Sequence, residues 1–403
     1  MTPAACYGLR QFRVAYGVQP LLDRGIDGRG QTVVLPELVP PVGSAAPIAD
    51  IRTNLAQYDA AFGLPAVRLG IVNSLAQAAS PDLADGEEIG DAEIVHAIAP
   101  EANIEVVLIP RTSLLVTDYA QAFLLAPSLG SVVALTIGFG EGCFTAADLA
   151  SLEAAIQDDR QHHVTVIASS GDNGAAIVPC PSTPETAAPV KGVNFPASDP
   201  LVLAVGGTSL QANPVTGAYL GESVWNTPLP PGSPIPPPGL FPGGEPPVAS
   251  NGGFSTLFAR PAYQDGINAI GATRGVPDVA ADAAPNTGLA LLADLDADPN
   301  GGYAIVPTAG TSTGAPFWAG IMALADQAAG RRLGFVNPAI YRIARGPLRT
   351  GAFHDVVAGD NSVTYPQGTV TGYPAAPGWD PATGWGSPDA AVLVPLLALD
   401  AGS

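Results

Sequence analysis

From Gly314 to Ala325 the chain reads Gly-Ala-Pro-Phe-Trp-Ala-Gly-Ile-Met-Ala-Leu-Ala, without one charged side chain. A helix that is apolar on every side must be wrapped by other elements, so this run demands a fold large enough to carry a helix through its core. Directly ahead of it stands Gly310-Thr311-Ser312-Thr313. Glycine lets the backbone turn tightly there. The unpaired N–H groups at the helix start favour negative charge beside Ser312. A serine so placed could attack a carbonyl and have its oxyanion held. Taken alone, Gly-Thr-Ser reads equally well as an ordinary helix cap.

β-branched and apolar runs recur at Gln31–Leu35, Ile104–Ile109, Val132–Ile137, Val164–Ala168 and Leu201–Val205. Helical patterns fall between them, near 51–62, 87–98, 116–125 and 146–158. This alternation predicts an α/β fold, a parallel sheet with helices on both faces. The whole chain, 1–403, is expected to form a single catalytic domain. The proline clusters between Asn226 and Asn251 are expected to form a stiff surface insertion without chemistry of its own.

Within the helix ending at Pro100, Glu87 and Asp91 stand four apart and share a face. The stripe continues through Ile94, Val95 and Ile98, which should meet the core. Two carboxyls are therefore directed inward, where mutual repulsion and burial raise pKa and allow a shared proton. Glu88 and Glu93 fit a solvated face. A third acid, Asp172, follows the run Val164–Ala168 in the turn Ser170-Gly171-Asp172-Asn173-Gly174, at the carboxyl end of a predicted strand. Asp-Asn-Gly is good turn chemistry in its own right. Protonated, Asp172 could instead donate to an oxyanion.

A Ser-His-Asp enzyme would need a histidine, and only His96, His162, His163 and His354 are available. His162 and His163 follow a polar helix end, His354 precedes an aspartate, and His96 lies on the predicted acidic helix, where a structural role is expected.

These segments together resemble the sedolisin, or serine-carboxyl peptidase, family. Its Glu-x-x-x-Asp pair matches Glu87 and Asp91, its Ser-Gly-Asp turn matches Ser170–Asp172, and its Gly-Thr-Ser-x-x-x-Pro matches Gly310–Pro316. Family-like runs also occur at Phe195–Pro200, Ala204–Thr208, Gly252–Ser255 and Arg274–Asp282, in order from about Tyr16 to Pro388. The resemblance implies a subtilisin-like fold and an acid-active peptidase. In it Ser312 is the nucleophile, Glu87 the base aligned by Asp91, and protonated Asp172 the oxyanion stabiliser. Glu37, just past the first strand, is implied as a lesser extension of the carboxyl chain. The substrate-lining strand would be Leu135–Glu141, with Gly138 departing from the family pattern.

The resemblance also implies one structural Ca²⁺ ion in the segment 353–388, held by the side chains of Asp355 and Asp380 and the backbone carbonyls of Val356, Ala376 and Gly378. Ala376 stands where the family commonly has glycine. Of three cysteines, Cys143 and Cys180 each follow a strand placed beside the cleft, which makes them the expected disulfide, with Cys6 free. Three free thiols in a reducing compartment are the alternative.

Composition agrees with an extracytoplasmic hydrolase. Net charge is −20 and Lys191 is the only lysine, a balance that argues against nucleic acid or anionic membranes as partners. Peptides or proteins are the expected substrates, and a monomer the expected state. No apolar run reaches a bilayer span, and Ala390–Leu399 is short and interrupted by Pro395. A signal and a long propeptide usually accompany the family, and neither is visible in this chain. A catalytically inactive peptide-binding relative and a Ser-His-Asp hydrolase using His96 are the competing readings.

Overall fold

A computed structural model describes residues 6–39, 49–73, 83–84, 86–110, 116–180, 188–228, 247–294, 302–365 and 367–400. Most of the proline-rich stretch expected as an insertion, residues 229–246, lies outside them.

The main sheet has eight strands: β1 (Thr32–Val39), β2 (Arg68–Asn73), β3 (Asn103–Pro110), β4 (Val132–Leu135), β5 (Thr165–Ser169), β6 (Leu203–Ala212), β7 (Tyr219–Val224) and β8 (Val279–Asp282). Their order is β7-β6-β5-β4-β1-β3-β2, and β8 also pairs with β6. Every pairing is parallel except that of β6 with β7.

Alternate strand residues serve two apolar cores, as period-2 geometry requires. Val33 and Leu35 of β1 enter one core, with Ile104 and Val106 of β3 and Ile167 of β5. Helices α2 (Gly86–Ile98), α5 (Gly314–Ala329) and α7 (Ala390–Leu399) close that side. Val34, Val107 and Ala168 face the other core, closed by α3 (Val116–Leu129) and α4 (Ala146–Gln161). The first core also takes in α1 (Ile51–Phe62), packed on α2, and α6 (Asn337–Arg345). The predicted α/β architecture with helices on both faces is present.

Helix α5 is buried from Gly314 to Asp326, as its sequence demands. It crosses α2 so closely that a Cβ at Gly320 would stand 2.7 Å from Cβ of Ile98. Pro395 does not end the last helix. It is carried inside α7, which forfeits one backbone donor and is held by the burial of Leu393, Val394 and Leu397.

Two sequence expectations fail here. Glu88 and Glu93 are not solvated: they are 2% and 0% exposed. Periodicity sees one helix at a time, whereas α2 is enclosed by α1, α5, β1, β3 and the strand Ala290–Asp294. Glu93 survives burial by accepting from Leu292 N (2.9 Å), and burial pushes its pKa well up. Cys143 and Cys180 do form a disulfide, and Cys6 is free.

Candidate active site

The serine turn is built from Gly310. Its φ of 82° lies where only glycine is unstrained, and its N–H donates to Ala283 O (2.8 Å). Residues Thr311–Thr313 then form one 3₁₀ turn that runs directly into α5. Thr311 and Thr313 are buried, while Ser312 between them is half-exposed.

The turn carrying Asp172 leaves the carboxyl end of β5 and meets the serine turn through Thr311. Asp172 Oδ1 accepts both Thr311 N and Thr311 Oγ1, each at 2.8 Å, and Thr311 Oγ1 in turn accepts Gly171 N at 3.0 Å. Asp172 Oδ2 takes no part in this clamp. Burial raises the Asp172 pKa to about 6, against the pull of both Thr311 bonds. Gly171, with φ 109°, must be glycine: a Cβ would lie 2.1 Å from Asn194 Nδ2. Asn194 and Asn251 hold the surrounding backbone, donating to Ser170 O (2.9 Å) and Gly174 O (2.6 Å).

The carboxyls of α2 approach from the other side, and the helix packs against the serine turn. Glu87 is half-exposed, whereas Asp91 is 3% exposed. Glu37, expected as a lesser extension of the carboxyl chain just past the first strand, lies within β1, is 1% exposed and hydrogen-bonds Asp91. Burial, then the charges of Asp91, Glu88 and Glu87, push its pKa well up. Two carboxyls can share a hydrogen bond only if one carries a proton, so this cluster titrates as a unit. The elements thus bring Ser312, Glu87, Asp91 and Asp172 to the carboxyl edge of one sheet. Thr311 is the addition, while Glu37, expected only as a lesser member, proves to be a buried part of the cluster. The family resemblance was the signal for Glu37, and nothing local distinguishes Thr311 from any cap threonine.

None of the histidines enters this edge. His96 is fully buried, its Nε2 lying 3.0 Å from Pro65 O and 2.9 Å from Asp59 Oδ1, and burial lowers its pKa. His354 stacks on Tyr219 with ring centres 3.7 Å apart. His162 and His163 are exposed.

The residues expected to hold a metal converge on the loop 376–380. Asp380, 1% exposed, accepts Ala376 N (3.1 Å), Ala382 N (2.8 Å) and Thr383 N (2.9 Å). Asp355 accepts Gly378 N (3.1 Å) and pairs with Arg349. Gly378 has φ 96°, which again calls for glycine. Among the described residues no group of three or more His, Cys, Asp or Glu is placed to hold a metal. Any ion here would therefore rely on two carboxylates and backbone oxygens, a hard-oxygen set that fits Ca²⁺. Arg349 already neutralises one of them.

A mainly parallel sheet with helices on both faces, and a serine turn beside buried carboxyls at its carboxyl edge, defines an α/β protein with a candidate serine site. No protein-family model matches the chain. It is 32% identical over 376 residues to kumamolisin of Bacillus sp. (strain MN-32), a match covering 90% of this chain and 59% of that protein. It is 32% identical over 286 residues to sedolisin of Pseudomonas sp. (strain 101), covering 69% of this chain and 43% of that protein. The structure of Pseudomonas sedolisin, a serine-carboxyl proteinase complexed with two molecules of pseudo-iodotyrostatin, superposes with a TM-score of 0.76 at 25% identity, over 97% of both chains. The chain belongs to the sedolisin family, with its subtilisin-like fold. It spans about 59% and 43% of the lengths of these two curated relatives.

Proposed function

We propose that this protein is an acid-active serine-carboxyl peptidase hydrolysing peptide bonds. The observation that carries this reading is the carboxyl cluster of Glu37, Asp91 and Glu87, centred on α2, which packs against the Ser312 turn, with His96 committed elsewhere. Glu87, the member of the cluster that reaches the surface, takes the proton of Ser312 as Oγ attacks the peptide carbonyl. Asp91, bonded to Glu37, orients Glu87 and spreads its charge. Asp172, protonated on the oxygen that Thr311 leaves unused, donates to the oxyanion, beside the Ser312 backbone N–H. Glu87 then protonates the leaving amine, and water repeats the sequence on the acyl-enzyme.

An Asp172 pKa of about 6 keeps the donor protonated only in acid, which supports a working range below neutrality. Asp355 and Asp380, with the carbonyls of Val356, Ala376 and Gly378, would hold one structural Ca²⁺, whose chemistry here is to tie loop 376–380 to the Asp355 strand end. The disulfide and the acidic surface support an extracytoplasmic site of action. We take the 403 residues as one catalytic domain acting as a monomer on peptides, without nucleic acid or membrane.

The test is cleavage of a diverse peptide mixture from about pH 3 to 7 by the wild type, Ser312→Ala and Glu87→Gln, each checked for folding by circular dichroism. Cleavage in acid only, lost in both variants, is expected. Cleavage that peaks near neutrality and survives Glu87→Gln would refute the mechanism.

A further inference from the structure

At the amino edge of the sheet an open cavity of about 660 Å³ is walled by Tyr263, Phe335 and Tyr341 and rimmed by Arg160, Arg342 and Arg345. It lies across the sheet from the serine turn. Arg160 stands near the end of α4, just ahead of β5, whereas Asp172 follows the far end of that strand. The length of β5, about 17 Å, separates the two edges.

The floor of the cavity is held rigidly. Tyr341 Oη donates to Asp278 Oδ1 (2.7 Å) and Tyr263 Oη to Pro200 O (2.8 Å). Asp278 is itself fixed by Arg274 (2.6 Å), both fully buried. Each rim arginine is anchored and keeps donors to spare, since a guanidinium carries five N–H groups. Arg160 lies over Phe335, 5.1 Å from the ring centre, and Arg345 Nη2 donates to Tyr263 O at 2.7 Å. Arg342 pairs with the Asp400 carboxylate, and Arg331 reaches the Asp400 backbone oxygen at 2.9 Å. Three exposed arginines around an aromatic floor are out of keeping with a chain of net charge −20.

We propose that this cavity is a second binding site, separate from the serine edge, for the free C-terminal carboxylate of a peptide ending in an aromatic or large apolar residue. The terminal side chain packs on Tyr263 and Phe335, and the carboxylate takes paired N–H donors from the rim, a geometry that suits arginine. Hydrolysis of a peptide bond leaves such a terminus on its acyl product, so the ligand is of the class a peptidase releases. Binding does not itself depend on catalysis. Asp400 shows that the rim accepts a carboxylate, and it competes for Arg342.

The experiment is titration of N-acetylphenylalanine, and separately of its amide, into the full chain at about pH 6, where the free acid is ionised, followed by ligand-observed NMR. Saturable millimolar binding of the acid and none of the amide is expected. Arg160→Gln and Arg345→Gln should each weaken it roughly tenfold, by loss of a charge-assisted bond. Asp400→Asn should tighten it by freeing Arg342, and Ser312→Ala should leave it unchanged. Both arginines of the first pair are exposed, so the fold tolerates their replacement. Equal binding of acid and amide, no saturation by about 20 mM, or unchanged affinity in the Arg160→Gln/Arg345→Gln double variant overturns the proposal.

Discussion

Thr311 donates its backbone N–H and its hydroxyl to the same oxygen of Asp172, at 2.8 Å each. The residue beside the candidate nucleophile thereby fixes the candidate oxyanion donor, and leaves the other carboxyl oxygen for the substrate. Both bonds favour the ionised form of Asp172 and offset part of its burial. Thr311→Val should therefore raise the Asp172 pKa above about 6, moving the alkaline limb of kcat/KM to higher pH. It should also lower kcat about tenfold through looser positioning. An alkaline limb that stays in place or moves toward acid would contradict this.

Asp172→Ala should lower kcat by about 10²–10³ with little change in KM, the effect of removing one preorganised oxyanion donor. Steady-state kinetics on one peptide substrate decides it. A loss expressed mainly in KM would mean that Asp172 binds substrate and takes no part in the transition state.

Several buried carboxyls hold their protons more tightly in the folded chain than free. Burial raises Asp159 to about 8, Asp282 to about 7, and Asp199 and Asp326 to about 6. Between an ordinary carboxyl pKa near 4 and these values, the folded state binds more protons than the unfolded one, so stability falls as pH rises from about 4 to 8. Calorimetry should find Tm lower at pH 7.5 than at pH 4.5 by roughly 5 °C or more. The Asp159 carboxyl oxygens have no hydrogen-bond partner among the described residues, and Asp159→Asn should narrow that gap.

His96→Ala should destabilise the fold by about 2–3 kcal/mol, through a cavity and the loss of the bond to Asp59. The pH profile of cleavage by the folded variant should match the wild type. Loss of activity without loss of Tm would return His96 to the catalytic candidates.

Chelation should lower Tm if Ca²⁺ binds only the folded chain, by an amount equivalent to about 2.7 kcal/mol for a site filled at a hundredfold excess over Kd. Asp380→Asn should abolish the response. Arg349→Gln should tighten Ca²⁺ binding measured by calorimetry, because it removes the cation already paired with Asp355.

Local pattern was enough, in the sequence itself, for a helix that had to be buried from Gly314 onward, a tight glycine turn ahead of Ser312, two acids sharing one face of α2, and alternating strands and helices. Each follows from backbone geometry over a few residues. Strands β2, β7 and β8 escaped the sequence reading because a glycine or charged residue within each obscures its period. Tertiary structure alone decided the surroundings of the acids. Glu37, Glu88 and Glu93 are buried by elements far away in the chain, and periodicity within one element cannot register a wall supplied by another. The same holds for Thr311 and Asp172, which lie 139 positions apart and meet because β5 ends, and α5 begins, at the same edge of the sheet.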